Sequence, residues 1–522
     1  MNAQIRAVNV AEMLAQTARR LPEATAVVHG ETRWTWRMLD EAADRVRAEL
    51  RRRGVRRGDC VLLHGHNSPE YIQSLYGIWR VGAAVAPTNV RLTPADVAVI
   101  GDVCRPVSMI ASTGSDAHVD AVRDVTGLPG GVLWIGDGAT SESVAALPAA
   151  LPEPETVYLG DHAWYFFTSG TSGSPKAAIL IHDQLGFVTT NHAADLMPGL
   201  SETDVSLAVA PLSHGAGVHL LPQVARGAAT VIPEGPGLRP EAVWELVERE
   251  RVTNMFTVPT ILKMLAEDPS VDKFDHSSLR HVIYAGAPML NADRDHALSV
   301  LGPVLVQYFG LGEVTGNITV LTPAEHGRPQ PSGIEVGTCG RPRTGMQVAI
   351  LGEDGAELPA GEIGEICAAG PAVCAGYLRN EEATAAAFAG SWFHTGDIGT
   401  VDEHGYLYIT GRTSDMYISG GSNVHPRDIE EKLVAHPGVA EVAVLGMPHP
   451  KWGEIGVAVW VRQPDSDTDE DELREWLDPK LARYKLPRQF IRWQVLPKSG
   501  YGKIVKRTIR DQLLDSGWTA PD

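Results

Sequence analysis

Short apolar segments that end at or next to glycine or proline recur through the middle of the chain, and several are separated by helical patterns. The segments are "AWYFFTSG" (163–170), "VSLAVAPL" (205–212), "AATVIP" (228–233), "NMFTVP" (254–259), "HVIYAG" (281–286) and "VLVQYFG" (304–310). The intervening patterns include "PEAVWELVERERV" (240–252) and "TILKMLAEDP" (260–269). Strands that alternate with helices predict an α/β domain with mostly parallel sheets flanked by helices, and its ligand sites are expected beyond the carboxyl ends of the strands.

The last hundred residues have a different pattern. Three β-rich segments, "AEVAVLGMP" (440–448), "GVAVWVRQ" (456–463) and "QFIRWQVLP" (489–497), surround a charged helical pattern, "DEDELREWL" (469–477). About one hundred residues is an ordinary domain size. We therefore predict a large N-terminal domain, residues 1–412, and a small mobile α+β domain, residues 413–522.

Composition excludes several classes of protein. The chain has 522 residues and a formal net charge of −19, which argues against a general nucleic-acid surface. No apolar run reaches the roughly 18 residues of a membrane span. Five cysteines without C-x-x-C spacing indicate reduced, structural thiols. We expect a cytoplasmic enzyme.

The stretch "TSGTSGSPK" (168–176) has the composition of a phosphate-binding loop. Small residues let backbone N–H groups approach phosphate oxygens, hydroxyls add donors, and one lysine adds charge. It is not a Walker A loop, because Ala177 follows the lysine and no Gly-Lys-Ser/Thr sequence is present in the stretch. A glycine- and serine-rich surface turn is the alternative. The candidate phosphate-binding residues are Thr168, Ser169, Gly170, Thr171, Ser172, Gly173 and Lys176.

This loop resembles the phosphate-binding signature of the adenylate-forming superfamily, which comprises acyl-CoA synthetases, free-standing adenylation domains and luciferases. Other segments match the family in its order: "PLSHGAG" (211–217), "YAGAPM" (284–289), "QYFGLGE" (307–313), "WFHTGD" (392–397) and "LPKSGYGKIVKR" (496–507). The resemblance covers about residues 165 to 507. It implies that a carboxylate attacks the α-phosphorus of ATP and that a thiol then attacks the acyl-adenylate.

The resemblance also implies roles for individual residues on the nucleotide side. Lys503 would stabilise the charge that develops on the phosphate, and Glu313 would hold Mg²⁺. Asp397 would accept the ribose hydroxyls, and Arg412 would contact ribose or phosphate. Phe309 would stack on adenine, beside Gly310, Gly286, Ala287 and Pro288. The alternatives are a surface lysine, a solvated loop glutamate, a helix cap, a surface ion pair and a core phenylalanine, respectively.

The thiol and acid sides are less specific in sequence. His214 would swing over the pocket mouth, although a packed core histidine is the alternative. Gly420 and Gly421 would let the pantetheine arm of CoA pass, and Trp452 would line its approach. A plain turn and a half-buried indole explain these last three almost as well.

Three positions depart from the family pattern. Gly312 stands where threonine or serine is usual, so one contact to the α-phosphate is missing or replaced. Ser414 stands at a pivot position that is commonly lysine or aspartate, which leaves the identity of the hinge residue open. Ala177 replaces a frequent glycine.

The expected acid pocket, formed by "SHGAG", "FTVPT", "YAGAP" and "GLGEVTGN", is mostly small or apolar, which favours an aryl or medium-chain acid. The resulting prediction is an ATP-dependent acid–CoA ligase that uses ATP, Mg²⁺ and CoA. The alternatives are an enzyme that loads a carrier protein, a relative that activates nitrite for diazotisation of an aryl amine, suggested only by Gly312, and a non-catalytic nucleotide-binding protein.

Overall fold

The protein is described by a computed structural model. It covers residues 5–136, 142–169, 175–235, 237–287, 289, 291–329, 336–412, 415–419, 422–464, 466–498 and 504–521. The predicted residues Gly170, Thr171, Ser172, Gly173, Pro288, Ser414, Gly420, Gly421 and Lys503 lie outside these ranges, as does the side chain of Ser169.

The described α-helices are α1 (Glu12–Arg20), α2 (Trp36–Arg52), α3 (Pro69–Arg80), α4 (Pro94–Cys104), α5 (Asp116–Thr126), α6 (His182–Asn191), α7 (Gly215–Arg226), α8 (Pro240–Arg249), α9 (Pro259–Glu267), α10 (Asn291–Leu301), α11 (Glu381–Ala387), α12 (Pro426–Val434), α13 (Glu470–Leu477) and α14 (Lys506–Asp515).

The described strands are β1 (Thr25–His29), β2 (Thr32–Thr35), β3 (Cys60–His64), β4 (Ala84–Thr88), β5 (Ser108–Ser112), β6 (Val132–Ile135), β7 (His162–Ser169), β8 (Pro175–Ile181), β9 (Val205–Leu207), β10 (Ala229–Ile232), β11 (Asn254–Thr257), β12 (His281–Tyr284), β13 (Leu305–Phe309), β14 (Thr319–Leu321), β15 (Arg341–Pro342), β16 (Gln347–Leu351), β17 (Gly364–Ala369), β18 (Phe393–Val401), β19 (Leu407–Arg412), β20 (Tyr417–Ser419), β21 (Ser422–Val424), β22 (Val439–His449), β23 (Gly453–Arg462) and β24 (Gln489–Trp493).

Two large sheets form the N-terminal part, and both are mostly parallel. One has the order β15-β14-β13-β12-β11-β9-β10-β1-β2, and the other has the order β6-β5-β3-β4-β7-β8. Strands β9 to β13 pair in parallel with one another, whereas β14 runs antiparallel to β13, and β8 runs antiparallel to β7 as the second strand of a hairpin. The predicted α/β architecture is confirmed.

Burial on both faces explains why these strands read as continuous apolar runs. In β3, Val61 and Leu63 face the core between the two large sheets, whereas Cys60 and Leu62 face α4 and α5. Helices α8, α9 and α10 cover the outer face of the longer sheet. The resulting order of layers is helix, sheet, helix, sheet, helix, which leaves the ends of the strands free for ligands.

Helix starts in this region follow local chemistry. At α4, the Thr93 side chain accepts from the Asp96 backbone N–H and the Asp96 carboxylate accepts from the Thr93 N–H, a reciprocal cap. Pro94 occupies the first helical turn, where its missing N–H costs no hydrogen bond.

Two smaller sheets follow in the chain. The four-stranded sheet β16-β17-β18-β19 is antiparallel. In the smaller C-terminal domain, β20 to β24 form a sheet with α12 and α13 on one face and α14 on the other. All five cysteines of the chain are buried free thiols, in agreement with the structural role predicted from their spacing.

Candidate functional site

The predicted phosphate loop joins the two strands of the β7–β8 hairpin. Thr168 and Lys176 lie directly opposite each other in its register, at the end from which residues 170–174 depart. A strand, not a helix, follows the loop, which agrees with the exclusion of a Walker A loop. The Lys176 ammonium lies 5.2 Å from the centroid of the Tyr377 ring, at a distance suited to a cation–π contact.

Glu313 lies at the same place, on a short 3-10 turn that follows β13. Its carboxylate oxygen Oε1 accepts hydrogen bonds of 2.9 Å from the Thr168 hydroxyl and 2.9 Å from the Tyr377 hydroxyl. The residue is only 5% exposed, so the alternative of a solvated loop glutamate is wrong. The other oxygen, Oε2, is buried and accepts no hydrogen bond from the part of the chain that the structure describes.

Tyr377 is a residue that the sequence reading missed. Burial and the charge of Glu313 both raise the pKa of its hydroxyl, so the hydroxyl stays protonated and donates to the carboxylate. The "GYLRN" segment that contains it has no motif that would single it out. Only its position beside Glu313 assigns it to the site.

Asp397 and Arg412 form a second polar pair, on β18 and β19. They are directly opposite in the strand register, and the Arg412 Nε donates to Asp397 Oδ1 at 2.8 Å. Asp397 is 3% exposed and lies in a strand, so its alternative as a helix cap is wrong. The Arg412 side chain is 54% exposed, and its ion-pair alternative is correct in that it binds Asp397.

The two polar groups influence each other electrostatically. Burial lowers the pKa of Arg412, but the negative charges of Asp397, Asp415 and Glu313 outweigh it and leave that pKa above the ordinary value. The guanidinium is therefore a permanent cation that faces the same region as the Glu313 carboxylate. Such a cation suits a phosphate or a ribose hydroxyl.

The departure at Gly312 has a packing explanation. A Cβ at this position would lie 2.6 Å from Phe166 Cε1 and 3.0 Å from Thr168 Cγ2. The Phe166 ring therefore fills the space that a threonine or serine side chain would need. Phe166 lies in "YFFTSG" but was given no role from sequence, because the contact depends on β7 and the turn after β13 meeting.

His214 contacts the same phenylalanine. It caps the start of α7 and is half-buried, and its ring lies edge-on to Phe166 with centroids 5.1 Å apart. The ring thus lies at the surface of a core cluster, between the two alternatives that the sequence left open. Phe166 connects the Glu313 group to His214.

Phe309 is the last residue of β13, and Gly310 follows it directly. Phe309 is half-buried and packs against two apolar clusters, so its core role is real, while adenine stacking stays a prediction. A Cβ on Gly310 would collide with the backbone of Gly316, which explains the glycine there. Gly286 has φ +88°, and both it and Ala287 follow β12.

Trp452 lies elsewhere, on the turn between β22 and β23, and is 36% exposed. Its contact with CoA stays a prediction.

A cavity lies beside the first turns of α7, between this helix and the ends of β9, β10 and β11. It has a volume of about 20 Å³ and is lined by Ser206, Leu207, Ala208, Leu212, Ala216, His219, Leu220, Gln223, Thr230 and Phe256. Ala216 and Phe256 belong to two of the segments expected to form the acid pocket. His219 and Gln223 were not predicted, because "VHLLPQ" reads as a buried helix face.

Comparison with known proteins identifies the class. Residues 14–378 match the family model "AMP-binding enzyme", and residues 428–503 match "AMP-binding enzyme C-terminal domain". The chain therefore belongs to the AMP-binding, adenylate-forming enzyme family and is an AMP-forming acid–thiol ligase. In the described residues, no helix has the length and apolar character that crossing a membrane requires.

Individual relatives cover nearly the whole chain. A feruloyl-CoA synthase from Amycolatopsis sp is 35% identical over 94% of this chain and 96% of its own length. The long-chain-fatty-acid–CoA ligase FadD13 of Mycobacterium tuberculosis is 34% identical over 97% and 98%. The solved amide bond synthetase McbA from Marinactinospora thermotolerans superposes with a TM-score of 0.87 at 27% identity, over 97% of this chain and 100% of that one.

Proposed function

We propose that this protein joins an aryl or medium-chain carboxylic acid to CoA through an acyl-adenylate, and that an aryl acid is the better substrate. The observation that carries the proposal is the meeting of Thr168, Lys176 and Glu313 at the mouth of the β7–β8 hairpin. There a cation, a hydroxyl and a buried carboxylate lie at the ends of the two strands that flank the segment whose composition suits phosphate. Such an arrangement suits an ATP triphosphate and not a purely apolar ligand.

The Glu313 carboxylate fits a divalent cation. Oε1 is held by two hydroxyl donors, which fixes the orientation of the group, and Oε2 has no donor among the described residues. A hard cation such as Mg²⁺ takes carboxylate oxygens as ligands and would neutralise charge on the phosphates. Thr168 and Tyr377 would orient the ligand, which is the function of groups behind a metal ligand.

The other residues divide the remaining tasks. Asp397 would accept from the ribose hydroxyls while Arg412, bonded to it, holds its orientation. His214, at the start of α7, would stand between the acid and the nucleotide. Lys503, Gly420 and Gly421 are assigned by motif alone, for the phosphate charge and for the passage of the thiol, on a small domain proposed to move between the two steps.

A stack of flat side chains beside the expected acid pocket favours an aryl acid. The rings of His219 and Phe256 stack with centroids 4.4 Å apart and planes 15° apart, and Phe256 lies parallel to Tyr308 within 17°. A flat ring packs against such a stack with more contact area than a flexible chain. That a feruloyl-CoA synthase is among the relatives supports the same choice.

The only reason to consider nitrite activation no longer applies. Gly312 was the reason to consider it, and the Phe166 ring accounts for the glycine. Loading of a carrier protein is the alternative that the choice of thiol acceptor in the test distinguishes from CoA ligation.

The test is a pyrophosphate-release screen over aryl, medium-chain and branched acids, and over nitrite with an aryl amine, each without a thiol, with CoA and with a holo-carrier protein. We expect turnover with aryl acids that requires CoA and yields the acyl-CoA thioester. Turnover with a holo-carrier protein but not with CoA would show that the carrier protein is the acyl acceptor in place of CoA. Pyrophosphate release that depends on nitrite and an aryl amine would show that nitrite is the substrate in place of a carboxylic acid.

A Lys503→Ala variant separates the two half-reactions. Adenylation should fall by a hundredfold to a thousandfold, about 3 to 4 kcal/mol of transition-state stabilisation. A chemically made acyl-adenylate should still be converted to the thioester, because the second step needs no such charge on a leaving pyrophosphate. Equal loss of both steps would contradict the role of Lys503.

A further inference from the structure

Two buried polar side chains of α7 face the cavity beside the acid site. His219 and Gln223 are four residues apart, so they lie on one face of the helix and one turn from each other. His219 is 5% exposed and Gln223 is 2% exposed. Most other residues that line the cavity are apolar, so these two side chains are the main source of its polarity together with Ser206 and Thr230.

The Gln223 amide has a defined orientation. Its Nε2 donates to Asn254 Oδ1 at 2.9 Å, which leaves the carbonyl oxygen Oε1 on the other side. This oxygen is buried and accepts no hydrogen bond from any residue in the described ranges. An amide oxygen can only accept, so the partner that it lacks must carry an O–H or N–H group.

His219 is held on three sides. Its ring stacks on Phe256 and meets His192 edge-on with centroids 4.6 Å apart, and its Nε2 lies 3.4 Å from the Tyr308 hydroxyl. The remaining nitrogen, Nδ1, is buried with no partner among the residues that the structure describes. Burial, helped by the charge of Arg343, lowers the pKa of His219 to about 3, so the ring is neutral and does not attract a second carboxylate.

Buried polar atoms in folded proteins are nearly always hydrogen-bonded. Two such atoms without protein partners, on one helix face and at one cavity, therefore indicate a place for a polar atom of a ligand. The cavity volume of about 20 Å³ holds one such atom with its hydrogens. The cavity is the right size for a hydroxyl or amino substituent and too small for a whole acid.

The helix gives the distance from the reaction. His214 precedes the first residue of α7, and His219 and Gln223 follow His214 by five and nine residues. At 1.5 Å per residue, they lie about 7.5 Å and about 13.5 Å farther along the helix axis than His214. A substrate whose carboxylate lies near His214 would need to extend over this distance to reach them.

We propose that His219 and Gln223 form a specificity subsite that selects a rigid aryl acid bearing an O–H or N–H group at the end far from its carboxylate. The donor of the substrate bonds Gln223 Oε1, and His219 Nδ1 completes the contact. This inference rests on the proposed function and names the substrate class of the same site.

The test compares matched acids that differ by one group: a para-hydroxyaryl propenoate and a para-aminoaryl propenoate, each against the unsubstituted aryl propenoate. CoA-dependent pyrophosphate release gives kcat/KM for each. The unmodified enzyme should prefer the substituted acids by about tenfold or more. An unmodified enzyme that prefers the unsubstituted acid, or makes no distinction, would show that the cavity holds only water and would overturn the proposal.

Variants then locate the preference. Gln223→Met keeps the length of the side chain but removes the acceptor, so the preference should fall to about one, mainly through loss with the substituted acids. Leu220→Met is the matched control, because it changes the shape of the same cavity without changing its polarity. A preference that persists in Gln223→Met, or that disappears equally in Leu220→Met, would contradict the assignment.

The proposed function fails in a different way. If no acid of any kind gives CoA-dependent release, the ligase assignment is wrong before any ratio is taken. If turnover is normal and only the ratios disagree, the subsite alone is wrong. The comparison of acids on the unmodified enzyme does not depend on whether a variant folds.

Discussion

The nucleotide side and the acid side of the site satisfy their polar groups in different ways. On the nucleotide side, the hydroxyls of Thr168 and Tyr377 both donate to Glu313, and Arg412 donates to Asp397. On the acid side, His219 and Gln223 keep buried atoms without partners among the described residues, at a small cavity whose other lining residues are mostly apolar. The first arrangement is charged and formed in advance, whereas the second is neutral and, in the proposed subsite, leaves its hydrogen bonds to the ligand.

This difference suggests a division of labour. Charged groups held by their neighbours stabilise charge that is the same for every acid, since every acid passes through the same phosphorus chemistry. Unsatisfied neutral groups discriminate between acids, because a ligand that lacks the matching group leaves them unpaired. Changes on the nucleotide side should therefore lower all rates together, and changes on the acid side should alter ratios between acids.

Among changes to the described residues of the two sides, the largest effect is expected from Asp397→Asn. Removing the charge weakens the bond to Arg412 and the bonds to ribose, and hydrogen bonds to charged groups contribute about 1.5 to 3 kcal/mol. Adenylation should fall by about tenfold to a hundredfold for every acid, measured by pyrophosphate release over a range of ATP concentrations. Asp402→Asn, at the far end of the same β18–β19 hairpin, is the control for folding. Unequal losses among acids would break the proposed division.

A smaller effect is expected where the two sides meet. Gly312→Thr places new atoms against the Phe166 ring, and overpacking of this kind costs about 1 to 3 kcal/mol. The free energy of unfolding should decrease accordingly in a denaturant titration. Because Phe166 also contacts His214, both the rate and the ratios between acids should change.

The double variant Phe166→Leu/Gly312→Thr supplies the control. The smaller side chain makes room for the threonine, so at least half of the lost stability should return. If the double variant loses more unfolding free energy than the two single variants lose together, Phe166 is not the reason for the glycine.

The smallest effect concerns pH and the acid side. The pKa of His219 is about 3 in the folded protein and about 6.5 in an unfolded chain, so the unfolded chain binds the proton first. The stability that the neutral ring provides is complete above pH 6.5 and is lost as the pH falls toward 3. At pH 5.5 the loss is about 1.4 kcal/mol.

Unfolding of the wild type and of His219→Phe at pH 7.5 and pH 5.5 measures this loss. The variant should lose about 1.4 kcal/mol less than the wild type between the two values. Substitution of the exposed His296 by phenylalanine is the control and should leave the pH dependence unchanged. If the pH dependence of the unfolding free energy is the same in His219→Phe as in the wild type, the ring is already charged, which contradicts the neutral ring of the proposed subsite.

Much of the fold followed from local patterns. The apolar runs at 163–170, 254–259, 281–286 and 304–310 are β7, β11, β12 and β13, and the helical patterns between them are α8 and α9. The order of the strands did not follow. Strand β1 lies beside β10, about two hundred residues later in the chain, because pairing depends on which faces remain uncovered after the whole sheet assembles.

The site shows the same limit. Glu313 and Asp397 were predicted from motifs. The hydrogen bonds of Glu313 to Thr168 and Tyr377, and the buried state of both carboxylates, required the assembled structure. The roles of Tyr377 and Phe166 could not be predicted from the sequence for one and the same physical reason. Neither residue has unusual chemistry, and each gains its role from a contact with a residue more than sixty positions away in sequence.

By itself, the sequence determined the residue types that suit phosphate, their order along the chain and the alternation that makes parallel sheets, since these depend on composition and on neighbours within a few positions. Only the tertiary structure decided that a phenylalanine replaces the side chain missing at Gly312, and that a histidine and a glutamine of α7 keep unpaired atoms at a cavity. The reason is that hydrogen-bond satisfaction and close packing are properties of segments distant in sequence, and they exist only when the sheets bring those segments together.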